Sequence, residues 1–437
     1  MSHYIEELNS DMLIAGLHWI PRWRINNGQK DSFVIPFPTT YPVNIVYHGE
    51  SKFKYGQYGI HLGQQDTLTF LGDEKQRILA KFIDCRKNSV TFKQRMSFYI
   101  TPSSEKTLII PPGVAHTFHN LENIFTLNTY KIFLPPLEQF PHGTTQWSPE
   151  NDIINIPEDI LTEEIVGYQP MSEAAADLVY HRVADFQAEH LQKHQYQHAE
   201  TREFMLDDGR KVNLKLREKI EESSHTDLAI SRINGVSFKT LPSIKTGKES
   251  GIIPLTRKTP FYLVEHGTKN YDFDSYGLHL GQEDHLIFLG SKKQPITLML
   301  VDMREGSDTL FVEEELTFYP SPDVELIIPC GVAHALLNMA KIITVNRPII
   351  YLDKQGDYLP GHDVIDWPIE NTDYISYKTN PTAADMDYYI EMVARQHEMM
   401  KDLPSHNTPK SVVVYDESTG KYVKVLLKEK VQDKATP

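Results

Sequence analysis

The chain has 437 residues, 40% of them hydrophobic and 24% charged, with a net charge of −15. This is the balance of an ordinary globular protein, and the length suits roughly two to four domains. The negative charge argues against nucleic acid as the main partner, because a phosphate backbone needs a basic face.

No apolar run approaches the roughly 20 residues of a membrane span. The start, Met-Ser-His-Tyr-Ile-Glu-Glu, carries acid where a secretion signal needs base. A cytoplasmic setting with no membrane partner is therefore expected. Cys85 and Cys330 are read as free thiols in a reducing compartment.

In chain order, residues 1–20 read as a short helix or arm. Short β-branched runs bounded by Pro, Gly and Asn predict strands at 33–35, 43–46, 68–70, 78–83, 98–100, 108–110, 117–118 and 124–131. Many short strands at this spacing point to a sandwich or barrel, with a jelly roll as the natural form. Residues 172–195 change character. Leu178, Val179, Val183 and Phe186 recur at helical spacing, Ser172 is placed to cap that helix, and a hairpin turning at Asp208-Gly209 follows.

The most informative stretch is Ile-Pro-Pro-Gly-Val-Ala-His at 110–116, because it returns as Ile-Pro-Cys-Gly-Val-Ala-His at 328–334. Both copies fit Pro-x-Gly-x-x-His-x-x-x-Asn, a tight turn followed by a histidine on a strand. Tyr-Gly-Ile-His-Leu-Gly-Gln at 58–64 likewise returns at 276–282. His61 and His279, Asp84 and Asp302, and His116 and His334 all stand 218 residues apart, since 279 − 61, 302 − 84 and 334 − 116 are equal. A constant offset predicts a tandem duplication, with units at 1–220 and 221–437, each long enough for its own core. Helix and hairpin recur in the second unit. Asn380-Pro381 starts a stripe of Met386, Tyr389, Ile390, Val393 and Met400, and Val412–Tyr415 and Tyr422–Leu427 form a hairpin around Gly420. The stripes are read as packing surface. The linker at 221–227 is polar, and 432–437 is expected to fray.

Gly59-Ile60-His61-Leu62-Gly63-Gln64, Ile83-Asp84-Cys85-Arg86, Ile110–His116 and Trp147 together resemble the dTDP-4-dehydrorhamnose 3,5-epimerase family of cupins. Gly277–Gln282, Val301–Arg304, Ile328–His334 and Trp367 repeat the series. The resemblance covers about 120 residues of each unit. It implies a mainly β bicupin: two double-stranded β-helix (jelly-roll) barrels, each followed by an α-helix and a β-hairpin. It further implies a cofactor-free, metal-free reaction on a nucleotide-linked 4-keto-hexose. In that reaction a histidine removes a proton beside the ketone, a tyrosine returns one, and basic groups hold the oxyanion and diphosphate. A neutral imidazole is the side chain suited to that base role near pH 7. His61 and His279 fall on the base, and His116 and His334 on the second pocket histidine. Family members pair as homodimers, so intrachain barrel–barrel pairing is expected to mimic that dimer, with further homo-oligomer formation left open.

The sequence departs from the family pattern in several places. Tyr58 and Tyr276 stand where the family has a phosphate-gripping Arg, and a Tyr makes no bidentate charged clamp. Lys75 and Lys292 are the nearest lysines to the pocket position and fall in a loop. Ala80 and Leu298 occupy the place of the aspartate paired with the second histidine. Ile132 and Ile350 occupy that of the proton-returning tyrosine, with Tyr130 and Tyr351 beside them. No base-orienting aspartate is identified after Trp147 or Trp367.

Gln64 and Gln282 are assigned to ligand binding with Tyr58, Tyr276, Tyr130 and Tyr351. Asp84 with Arg86, and Asp302 with Arg304, are read as structural pairs, being two residues apart on a strand. A metal is not expected, since Gly63 and Gly281 replace the second histidine of a His-x-His pair; two histidines per barrel, such as His61 with His116, could hold a weak site but fall short of the usual three protein ligands. His190, His194 and His198 are read as solvated. Two functions remain: an epimerase or isomerase of keto-sugar nucleotides, or a carbohydrate-binding or assembly protein that has lost the chemistry.

Overall fold

The computed structural model describes residues 9, 12–22, 24–26, 32–37, 41–135, 147–158, 172–194, 196–219, 228–246, 249–256, 259, 261–268, 271–351, 364–379, 391, 410–416 and 421–427. The chain is mainly antiparallel β. The strands read from the sequence are present as Phe33–Phe37, Val43–Tyr47, Gln64–Leu71, Ile78–Asp84, Arg95–Ile100, Lys106–Ile110, Val114–His119 and Phe125–Asn128. Strands also form at His18–Pro21, Gln57–His61 and Ile153–Pro157, which the sequence reading did not assign. Gln57–His61 is short and contains Gly59. Pairing holds it in place, with Ile153–Pro157 on one side and Val114–His119 on the other.

Between Val43 and Asn128 the chain winds back and forth between two sheets. Among the described residues one is five-stranded, ordered Ile153–Pro157, Gln57–His61, Val114–His119, Ile78–Asp84, Arg95–Ile100. The facing sheet contains His18–Pro21, Lys106–Ile110, Gln64–Leu71, Phe125–Asn128 and Val43–Tyr47 in that order. This alternation is the winding of a jelly roll. Period-2 patterning makes it work, because inward residues of both sheets build one core. Leu68, Phe70, Leu108 and Ile110 from one sheet meet Ile78, Ala80, Phe82, Val114 and Phe118 from the other. The same winding recurs from Phe261 to Asn346, with Leu286 and Phe288 facing Ile296, Leu298, Leu300, Val332 and Leu336.

Two strands lie in the sheet of the opposite half of the chain. Phe33–Phe37 pairs with Phe261–Glu265, and Gly251–Leu255 pairs with Val43–Tyr47. Ile35, Phe37, Ile253 and Leu255 are buried together with Ile45, Leu127, Leu263 and Val345. The Phe37 and Phe261 rings stack at 4.7 Å. Alternating hydrophobicity identifies a strand but not its neighbour, so sequence order alone does not show this exchange. The expected boundary at 220/221 and the linker lie outside the described residues.

The helix expected at 172–195 runs from Ala176 to His194. Ser172 does not cap it, because Ser172 and Glu173 pair as a strand with Leu134 and Phe133. Val179 and Val183 are buried against Tyr41, Tyr130, Ile132 and Trp147, while Leu178 faces solvent. The following hairpin, Tyr196–Met205 with Lys211–Lys219, turns at Gly209 as expected. Its later counterpart is Lys410–Asp416 with Lys421–Leu427. The stripe at 386–400, the Asn380-Pro381 start and the 432–437 tail lie outside the described residues, as do the side chains of His190, His194 and His198. Among the described residues, no helix is long and apolar enough to cross a membrane.

A buried aspartate ties off one end of each five-stranded sheet. Asp84 accepts from the Arg86 backbone and guanidinium and from the Ser89 and Thr91 hydroxyls, at 2.6–3.0 Å. Asp302 repeats this with Arg304, Ser307 and Thr309. The structural role expected for both pairs agrees with these contacts. Arg86 is held rigidly enough to crowd the Pro-Gly turn. Gly113 has φ +80°, and a Cβ there would lie 2.5 Å from Arg86 Cγ. Gly113→Ala should destabilise the protein by about 2 kcal/mol, from left-handed strain plus displacement of Arg86. Urea unfolding checks this, and an unchanged midpoint would remove the turn from the argument.

Candidate active site

Strand Gln57–His61 alternates, so Tyr58 and Ile60 share one face and His61 the other. His61 and His116 sit on neighbouring strands of the five-stranded sheet, with ring centroids 5.9 Å apart. They face Gln64 and Asp66 on the opposite sheet. His116 Nε2 lies 3.2 Å from Asp66 Oδ2, and His61 Nε2 lies 3.6 Å from the same oxygen. Gln64 donates to Asp66 Oδ1 at 2.7 Å and Asn128 donates to it at 2.8 Å. Behind His61 stands Asp152, which accepts from His61 Nδ1 at 2.9 Å and from the Gly63 amide at 2.7 Å.

Asp152 ends a one-turn helix, Pro149–Asp152, that Ser148 caps in a reciprocal capping box with Asn151. That cap aims the carboxylate at the Leu62–Gln64 turn, and the Leu62 amide donates to the Asp152 carbonyl. An aspartate held against His61 is therefore present five residues after Trp147, where the sequence reading identified none. Its signal was the Ser-Pro-Glu-Asn cap.

The second half repeats much of this geometry. His334 Nε2 and His279 Nε2 lie 3.4 and 3.7 Å from Asp284 Oδ2. Gln282 and Asn346 hold Asp284 Oδ1 at 2.7 and 2.8 Å. Val364 pairs with His279 as Ile153 pairs with His61. The residue before Val364 is Asp363, as the residue before Ile153 is Asp152, and Asp363 lies outside the described residues. Asp66, Asp284, Asn128 and Asn346 were missed by sequence reasoning, although each pair stands at the same 218-residue offset. The acid beside the second histidine is Asp66 or Asp284. Ala80 and Leu298 are core residues of the opposite sheet.

Burial disfavours charge on His61. The Asp66 charge and the hydrogen bond and charge of Asp152 outweigh it, and the His61 pKa is pushed up to about 9. Burial also opposes ionisation of Asp66, but the two imidazoles and Gln64 outweigh it and hold that carboxyl well below the usual range. Burial lowers His334, against the pull of Asp284.

The tyrosines assigned to ligand binding are placed less directly. Tyr58 packs with Ile60, Ile83, Cys85 and Ala115 on the face away from His61, and burial raises its pKa. Tyr276 does the same with Leu278, Val301 and Met303. Tyr130 is buried with Ile132 and Trp147 in the cluster under the helix. Tyr351 is half-buried, its amide on the Gly281 carbonyl at 2.7 Å. Lys75 and Lys292 are exposed loop residues. A different tyrosine feels the site: Tyr55 keeps 37% of its surface exposed, while desolvation around its ring and the Asp66 charge raise its pKa. Its hydroxyl donates to His48 Nε2 at 3.1 Å, since His48 Nδ1 is used on the Ile124 carbonyl. Position 273, the counterpart of Tyr55, is Phe.

An imidazole fixed by a carboxylate at Nδ1, with Nε2 turned into a polar cleft, is equipped to move a proton. Residues 58–139 match the model of the dTDP-4-dehydrorhamnose 3,5-epimerase family. That match contains His61, Gln64, Asp66, His116 and Asn128 of the first site. No curated protein sequence matches the chain. Among solved structures, a dTDP-4-dehydrorhamnose 3,5-epimerase from Elizabethkingia anophelis is 13% identical. It covers 37% of this chain and 97% of its own, with a TM-score of 0.23. The QdtA sugar 3,4-ketoisomerase of Thermoanaerobacterium thermosaccharolyticum, in complex with TDP, is 15% identical over 37% and 97%, TM-score 0.23. The WlaRA TDP-fucose-3,4-ketoisomerase of Campylobacter jejuni is 11% identical over 30% and 88%, TM-score 0.23.

Proposed function

We propose that the protein is an epimerase or ketoisomerase of a nucleotide-linked 4-keto-hexose, with His61 as the proton-abstracting base. The observation that carries this is the Asp152–His61 pair. The carboxylate accepts from Nδ1 at 2.9 Å, which leaves Nε2 as the atom able to take a proton from a carbon acid. In the free protein the two carboxylates favour the imidazolium, so loss of that proton precedes abstraction. Tyr55, partly exposed and close enough to Asp66 for that charge to raise its pKa, is a candidate to return a proton. Phe273 offers no such group, so the first half is read as the working one. The family match over residues 58–139 supports the reaction class.

The units are read as 1–220 and 221–437, related by duplication, and their strand exchange as a fused counterpart of a dimer, in a cytoplasmic protein. The test is solvent-deuterium incorporation into dTDP-, GDP- and UDP-4-keto-hexoses followed by NMR. Exchange at a carbon beside the ketone is expected with one of them. Binding of a sugar nucleotide by calorimetry without any exchange would instead support the non-catalytic binding reading. The acids, amides and imidazoles that meet at the site give that reading its specific support, because they can hydrogen-bond the hydroxyls of a sugar.

A further inference from the structure

With both imidazoles neutral, the hydrogen-bond pattern around Asp66 leaves three lone pairs aimed at one another. His116 Nδ1 lies 3.1 Å from the Val114 carbonyl, which only accepts, so Nδ1 carries the hydrogen and Nε2 the lone pair. Asp152 imposes the same tautomer on His61. Asp66 Oδ1 is occupied by Gln64 and Asn128, so Oδ2 is the oxygen left facing both imidazoles. Such a convergence is repulsive unless a proton or a cation lies within it.

The spacing also fits a cation. Ligand bonds of about 2.0–2.2 Å put neighbouring donors about 3.0 Å apart in an octahedral site and about 3.4 Å apart in a tetrahedral one. The nitrogen-to-Oδ2 distances are 3.2 and 3.6 Å in the first half and 3.4 and 3.7 Å in the second. In both groups the three ligand atoms all lie within 4.8 Å of one another. Each triad also has outer support of the kind metal ligands receive: carbonyls of Val114 and Val332 behind the second histidines, and amides of Gln64, Asn128, Gln282 and Asn346 behind the carboxylates. The longer Gln64 contact to His61 Nε2, at 3.3 Å, can yield to an ion while Gln64 keeps Asp66.

We propose that His61, Asp66 and His116, and separately His279, Asp284 and His334, are sites for a divalent transition-metal cation of the zinc and iron(II) class. Two imidazoles and one carboxylate suit such ions better than magnesium or calcium, which prefer oxygen donors. Three protein ligands leave coordination positions open to water or to ligand oxygens. The inference does not rest on the sugar chemistry. A cation on His61 Nε2 occupies the lone pair that proton abstraction needs, so a loaded first site is expected to be silent in the exchange reaction.

The test loads the full chain with Co²⁺ or Zn²⁺ and counts metal after dialysis. The parent should retain about two equivalents, Asp66→Asn or Asp284→Asn about one, and the double variant none, as expected for two independent sites. Asn128→Ala, which removes only outer support, should weaken cobalt binding at one site by about 10–100-fold. X-ray absorption of the zinc-loaded parent keeps the proposal testable if a variant misfolds, and should show imidazole and oxygen ligands. No retained metal on folded parent protein, undiminished retention by the folded double variant, or a shell without imidazole would each overturn the proposal. Sugar exchange enters none of these readouts, so the two ideas can fail separately.

Discussion

His61→Asn should lower the rate of deuterium wash-in by about 10²–10⁴-fold, the usual contribution of a positioned general base. His279→Asn should leave most of the exchange in place. The asymmetry rests on Tyr55, whose counterpart is Phe273. Without a hydroxyl at that position the second half lacks the same candidate for returning the proton. The asparagine amide can replace the Nδ1–H donor to Asp152 but offers no basic nitrogen in the cleft, so the expected loss comes mainly from basicity. Asp152→Asn should also slow exchange, while its side-chain oxygen still accepts from the Gly63 amide and supports the turn. That variant no longer presents a carboxylate to His61 Nδ1, and it should lower kcat more than it raises KM. Equal losses in His61→Asn and His279→Asn would show that both halves work. Loss only in His279→Asn would move the active site to the second half.

Asp84→Ala should destabilise the protein by about 3 kcal/mol, because it strips the partner from a largely buried guanidinium and two hydroxyls at once. Arg86 loses its bidentate contact, and with it the grip of its guanidinium on the Ala15 carbonyl weakens. Asp302→Ala should act alike through Arg304 and the Asn234 carbonyl. The pH dependence gives an independent signature. Burial alone would raise the pKa of Asp84, but Arg86, Ser89 and Thr91 outweigh it and bring it from 3.8 to about 2; Asp302 is likewise held at about 2. A carboxyl whose folded pKa is depressed stabilises fully above its unfolded pKa and progressively less as pH falls toward the folded value. The parent should therefore lose this contribution between about pH 4 and pH 2. Each single variant should show a shallower decline in that window by urea unfolding at fixed pH. A variant with the parent's slope would show that Asp84 is not the group being titrated.

The exchanged strands and the acidic centre of each site show where sequence reasoning stopped. Alternation of buried and polar residues locates Phe33–Phe37 and Gly251–Leu255 as extended, yet backbone hydrogen bonds carry no address. Their placement in the sheet of the other half depends on which apolar faces close over Ile45 and Leu263. Tyr58 lies two residues before Ile60, and period-2 geometry turns both away from His61. A motif read linearly places Tyr58 beside the pocket, whereas the pleat places it on the opposite face. Asp152 lies 91 residues from His61, and only the pairing of Ile153 with His61 brings it there.

By itself the sequence determined the strand-rich class, the 218-residue recurrence and the four histidines it carries, two of them following the Pro-x-Gly turns. These are local or periodic properties, written in neighbouring side chains and their spacing. Tertiary structure decided which carboxylates face those histidines, which partners the Nδ1 atoms of His61 and His116 meet, and which sheet each edge strand joins. Those depend on contacts between residues far apart in the chain, where burial leaves a charge stable only when another group is positioned to meet it.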